Sequence, residues 1–190
     1  MAEQEQDCGS ETSRASSESS SSAPASTLEE GKNVVSRGEL KRIMVDYHNT
    51  LETGNSITNC NEQALLKLLQ EGYQVCICSY AFRNRAQEVR DTLSNYPWME
   101  QVWKLIFTEH RVKHPQAKSS ICKAWAIGTL FDDSWDILED ALEKGVSCYP
   151  IQTKWEKHQW FTRYGTGEGP WPTFADAVDA FLAKEKRNQQ

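Results

Sequence analysis

Short apolar runs alternate along this chain with stretches in which apolar residues recur every three or four positions. The runs read as strands, and the recurrences as helices that bury one face. Lys41-Arg-Ile-Met-Val-Asp46 is the first apolar run, and it stops on a carboxylate. The polar connection Glu52 to Cys60 leads to a helix that Asn61 is placed to cap, with Leu65, Leu68 and Leu69 on one face and Gly72 at its end. Tyr73 to Tyr80 is a second strand. Phe82, Ala86, Val89 and Leu93 mark the buried face of a second helix, which Pro97 breaks, and Val102 to Thr108 supplies a third strand. Trp98 and Trp103 read as packing residues. After the connection Lys113-His114-Pro115, Lys118 starts a helix carrying Ile121, Cys122 and Trp125, and Ile127 to Phe131 is a fourth strand. Ile137, Leu138, Ala141 and Leu142 define the next helix, Gly145 ends it, and Val146 to Ile151 is a fifth strand. Beyond it, through Trp155, Trp160 and Gly169, no period stands out. Thr173 and Asp176 form a capping-box-like start to a last helix with Phe174, Ala177, Val178, Phe181 and Leu182 in one stripe.

Strands alternating with helices predict an α/β domain of three layers, Rossmann-like, with a mainly parallel five-stranded sheet and right-handed crossovers. Ligands of such sheets bind in the crevice beyond the carboxyl ends of the strands. Two strands deliver acids there: the first ends on Asp46, the fourth on Asp132-Asp133 with Asp136 close behind. A lone Asp after a strand more often starts a turn or caps a helix. Two at the same edge make a site.

Composition adds a boundary and several exclusions. The first 35 residues are rich in Ser and Glu, include the run Ser19 to Ser22, and hold too few large apolar side chains to offset chain entropy. They are expected to form a disordered tail, with the folded domain spanning 36–190. Of the formal net charge of −6, nearly all arises before Lys32, where seven acidic residues face Arg14 alone. The rest is near neutral, so no global electrostatic case for nucleic-acid binding exists. The start has no secretory pattern and no segment is long and apolar enough to span a bilayer. An intracellular setting without membrane contact is expected, cytoplasmic or nuclear. Of the six cysteines, Cys76 and Cys78 alternate along a strand and no pair has zinc-site spacing, so reduced core thiols are expected, with Cys8 in the tail.

Asp46-x-His48-x-Thr50-Leu51 resembles the first motif of the haloacid dehalogenase-like (HAD) phosphohydrolase superfamily, normally DxDxTL. Asp132-Asp133 with Asp136 resembles its fourth motif, which occurs as DD or DxxxD. Each is short, but both in order and each at a strand end form a far more specific signal. The resemblance implies a HAD-like domain with strand order 5-4-1-2-3, which sets the two acidic strand tips side by side. It also implies a Mg²⁺-dependent phosphatase in which Asp46 attacks phosphorus and forms an aspartyl-phosphate. Mg²⁺ would be held by Asp46, the backbone carbonyl of His48 and Asp132, with Asp133 or Asp136 ligating through water or orienting the site; hard oxygen ligands suit that ion. Ser79 matches the second motif, a hydroxyl that binds the transferring phosphoryl group, and Thr50 joins it as a phosphate binder. The third motif is a lysine: Lys118, with Lys113 the alternative.

His48 stands where the superfamily usually has the aspartate that protonates the leaving oxygen and then activates water. Imidazole can do both near neutral pH, and nearby carboxylates and phosphate are expected to raise its pKa and favour the protonated acid. Caps in this superfamily follow the first or second motif, and neither interval here has room for one. Capless relatives have open crevices, which implies a phosphorylated macromolecular substrate, a protein or a nucleic-acid end. Two other readings stay open: a catalytically weak binding or regulatory module, kept alive by His48, and a dehalogenase, which needs a drier site.

Overall fold

The computed structural model describes residues 41–108, 116–151 and 169–190. Strands β1 (Arg42–Asp46), β4 (Gln74–Tyr80), β5 (Lys104–Thr108), β6 (Thr129–Asp132) and β7 (Ser147–Pro150) form one sheet in the order β5-β4-β1-β6-β7. Every pairing in it is parallel. A short antiparallel hairpin, β2 (Glu52–Thr53) and β3 (Ser56–Ile57), stands apart from this sheet.

Side chains alternate across a strand, and here the alternation sorts the core into two layers. Ile43 and Val45 of β1, Val75 and Ile77 of β4 and Phe131 of β6 face one layer, covered by α1 (Asn59–Gln70), α2 (Arg83–Leu93) and α5 (Phe174–Asn188). Met44, Cys76, Cys78 and Leu130 face the other, covered by α3 (Ala117–Ala124) and α4 (Trp135–Glu143). The result is the expected three-layer α/β domain. On the first layer Phe131 packs against Tyr149, Phe174 and Phe181 with ring centroids 5.1, 5.5 and 5.7 Å away. Such aromatic pairs each contribute about 0.5–1.5 kcal/mol beyond their buried area, and they fix β6 one residue before Asp132.

Three local expectations are corrected. The cap of α1 is Thr58, whose extended backbone lets its Oγ1 accept from Asn61 N at 3.3 Å; Asn61 lies inside the helix with its side chain turned to other work. The connection after β1 is not merely polar loop. Gly54 and Asn55 both take positive φ, 65° and 69°, and fold Glu52 to Ile57 into the hairpin. Phe82 is not on the buried face of α2: it precedes the first helical residue and is 62% exposed, while Val89 and Leu93 carry the packing.

Between Asp46 and Ser79 the chain forms only the hairpin, α1 and most of β4, so no cap domain occurs in that interval. Among the described residues none follows Ser79 either. No described helix is long and apolar enough to cross a membrane. The tail, Cys8, Lys113, His114, Trp155 and Trp160 lie outside the described residues. Cys60, Cys76, Cys78, Cys122 and Cys148 are free thiols, Cys60 exposed and the others buried.

Candidate active site

The register Val45↔Phe131 of adjacent β1 and β6 sets Asp46 and Asp132 side by side at the carboxyl end of the sheet. By the alternation, Asp46 shares the face of Met44, and Asp132 that of Leu130. That is the layer covered by α3. Lys118, in the first turn of α3, therefore has its ammonium delivered to both acids: Nζ donates to Asp46 Oδ1 and, at 2.7 Å, to Asp132 Oδ2. It is fully buried, with the Tyr80 ring centroid 5.3 Å from Nζ. Oxygens of Asp46, Asp132 and Asp133 all lie within 4.8 Å of one another. Asp132 Oδ1 accepts from Ser134 N at 2.9 Å, and Asp133 Oδ1 from the Ser134 hydroxyl at 3.1 Å. Asp136 stands apart, exposed in the first turn of α4.

Burial raises the Asp46 carboxyl to about 8; Lys118 opposes the rise, while Asp132 and Asp133 add to it. Burial acts against the Lys118 ammonium, but Asp132 and Asp46 overcome it and drive its pKa upward. The ammonium is the firmer charge, because two carboxylates favour it whereas Asp46 is opposed by burial and two like neighbours. Asp133 is also raised, first by burial and then by Asp132. One ammonium thus faces three carboxyl groups, and with all three ionised the cluster is short of two positive charges. The all-oxygen donor set and this deficit fit a hard divalent cation such as Mg²⁺.

The loop after β1 closes on itself. Leu51 N donates to Asp46 O at 3.3 Å and Glu52 N to Tyr47 O at 2.8 Å, with Asn49 at φ 58° making the reversal. This turn brings His48 over the end of β4. Its Nδ1 lies 2.8 Å from the Ser79 hydroxyl, which shares the face of Val75 and Ile77. Burial is the main cause that lowers the His48 pKa; Glu52 works against it, and Arg85 and Lys118 lower it further. The neighbouring acids by themselves therefore do not raise it, because burial and the two cations outweigh Glu52. The sequence reveals the neighbouring acids but not the ring's burial or the cations that face it. Thr50 is fully buried, and its Oγ1 has no hydrogen-bond partner among the described residues.

Sequence reasoning missed two asparagines. Asn49 hydrogen-bonds Asp133 through its side chain. Asn61 Nδ2 donates to Leu51 O at 3.0 Å and Thr50 O at 3.3 Å, while its Oδ1 accepts from Ala175 N at 3.3 Å. An Asn with φ > 0 is foreshadowed by its place in the turn after a strand; nothing local foreshadows the second.

No protein-family model matches the chain, and no curated protein matches it. Among solved structures it is similar to a putative beta-phosphoglucomutase from Thermotoga maritima at 10% identity and TM-score 0.50, over 66% of this chain and 60% of that one. A haloacid dehalogenase-like family hydrolase from Xanthomonas campestris aligns at 12% identity and TM-score 0.46, over 71% of this chain and 54% of the other. A HAD family enzyme from Bacteroides thetaiotaomicron, in complex with magnesium and inorganic phosphate, aligns at 20% identity and TM-score 0.42, over 55% and 58%. The chain spans about three fifths of the length of the first of these. At such identities the likeness speaks to the fold alone, and the fold is HAD-like.

Proposed function

We propose, taking the HAD-like fold as premise, that this chain is a member of the HAD-like superfamily that hydrolyses phosphate monoesters with Mg²⁺ through an aspartyl-phosphate on Asp46. The observation that carries the reading is the buried Lys118 ammonium joined to Asp46 and Asp132, with Asp133 beside them. A carboxylate nucleophile needs a fixed cation against it and an uncovered approach. The absence of a cap between Asp46 and Ser79 provides the second.

Asp46, the backbone carbonyl of His48 and Asp132 would hold Mg²⁺, with Asp133 orienting; bound there, the ion supplies the two missing positive charges and offsets charge on phosphate. Asp46 attacks phosphorus as the bond to the leaving oxygen breaks, and His48 donates a proton to that oxygen. Ser79 and Thr50 offer hydroxyls to phosphoryl oxygens, and Lys118 stabilises the charge gathering around Asp46. In the second step neutral imidazole takes a proton from water, which attacks phosphorus and releases Asp46. A lowered His48 pKa favours this second step over the first. Arg85, whose charge acts on His48 from the first turn of α2, adds attraction for an incoming phosphate. The open approach suits an exposed phosphate on a macromolecule, a protein or a nucleic-acid end.

One observation favours a second reading, a binding module with slow turnover: His48 Nδ1 engages the Ser79 hydroxyl that would otherwise meet phosphate. Hydrolysis of an aryl phosphate with and without Mg²⁺, by wild type beside Asp46→Asn, separates the two. Metal-dependent turnover lost in the variant is expected; equal rates in both proteins would rule out Asp46 as nucleophile.

A further inference from the structure

The loop from Asp46 to Glu52 carries Asp46, His48 and Thr50 of the proposed site, and two of its own backbone hydrogen bonds, Leu51 N to Asp46 O and Glu52 N to Tyr47 O, brace its shape. Its far end is fastened from outside by one side chain. Asn61, 2% exposed and within the first turn of α1, spends both kinds of amide atom: Nδ2 donates to the carbonyls of Thr50 and Leu51, and Oδ1 accepts from Ala175 N in the first turn of α5. A buried side-chain amide whose donors and acceptor are all taken locks what it touches, because each broken bond would strand a polar group away from water. The two carbonyls it grips belong to consecutive peptides, one on each side of Leu51. Thr50 is also the residue whose buried hydroxyl has no hydrogen-bond partner among the described residues. The clamp holds Thr50 in place, and only Asn49 stands between Thr50 and His48.

We propose that Asn61 is a positioning residue for the catalytic loop, holding the His48 carbonyl and the Thr50 hydroxyl in the arrangement that receives Mg²⁺ and the phosphoryl group, an inference that rests on the reading above. Asn61 touches no reacting atom; it acts through the Thr50 and Leu51 carbonyls. Its place in a helix that also abuts α5 makes the clamp a three-way joint between loop, α1 and α5.

The test uses the full chain and two readouts, calorimetric titration with Mg²⁺ alone and hydrogen exchange at the Leu51 and Glu52 amides. Asn61→Ala removes all three bonds; Asn61→Asp keeps the acceptor for Ala175 N but has no N–H for the loop, and decides the matter if the alanine variant fails to fold. Outer-shell partners of metal ligands typically govern affinity by 10- to 100-fold, so Mg²⁺ binding weakens by about tenfold or more in both variants. Exchange at Leu51 and Glu52 speeds up by about thirtyfold, the size expected for losing the two loop hydrogen bonds at about 1 kcal/mol each. Thr58→Ala is the control: it uncaps the same helical turn without touching the loop, and both readouts stay at the wild-type level. Wild-type exchange at both amides in Asn61→Asp overturns the inference, as does an equal loss in Thr58→Ala. Failure of wild type to bind Mg²⁺ overturns the proposed function instead, and the exchange result still judges Asn61.

Discussion

On one side of the crevice Lys118 lies fully buried between Asp46 and Asp132, whereas on the other His48 is half-buried and meets Ser79 through one hydrogen bond. The first side is over-determined: each charge there needs the others, because burial has stripped all of them of water. The second depends on one neutral contact in a partly solvated place, where a residue can change at little cost to the fold. On the proposed reading, capture of phosphate and turnover are therefore separable, and His48 falls on the side that tolerates change.

The comparison breaks most visibly at Lys118. Lys118→Met keeps the apolar stem but leaves Asp46 and Asp132 without their ammonium, which costs about 3–5 kcal/mol of folding stability. Urea unfolding measures it, and a loss under 1 kcal/mol would mean that the acidic side is far less tightly coupled than its geometry implies. His48→Ala should do the reverse. Stability stays within about 1 kcal/mol, while turnover falls about 10²-fold or more, the usual worth of a general acid–base. Steady-state rates beside unfolding midpoints give both numbers.

The acidic side also carries a pH signature. Between the ordinary carboxylate value of 3.8 and about 8, the folded metal-free protein retains a proton on Asp46 that the unfolded chain has released. The native state then binds more protons than the unfolded one, so stability falls as pH rises through that window. Asp46→Asn flattens the slope. Unfolding midpoints at several pH values, taken in chelator, check the sign.

The sequence made the frame of the site readable because its signals are local. An apolar run ending on Asp46, another ending on Asp132, and alternation along both strands suffice to put the two acids at one edge. What remained hidden depends on partners distant in sequence. Lys118 and Lys113 both precede the fourth strand, and only the start of α3 at Ala117 brings Lys118 onto the layer shared by the two acids. Asn61 reads as a helix cap because Asn is a favoured cap residue just before an apolar stripe; its real partners, the carbonyls of Thr50 and Leu51, do not register in any helical pattern. Phe82 fits the spacing of Ala86, Val89 and Leu93 but lies before the helix begins, so periodicity alone counted it as buried. The direction of the His48 pKa shift needed burial and Arg85, neither of which has a local sign in the chain.

The most direct test of the central claim is to identify the atom that becomes phosphorylated. Wild type is incubated with an activated phosphoryl donor and Mg²⁺, quenched in acid and reduced with borohydride, which converts an acyl phosphate on aspartate to homoserine; peptide mass spectrometry then locates the change. Homoserine at position 46, absent without donor and absent in Asp46→Asn, is the predicted result. Phosphate found on His48 or Ser79 instead, or turnover with position 46 unmodified, would contradict it.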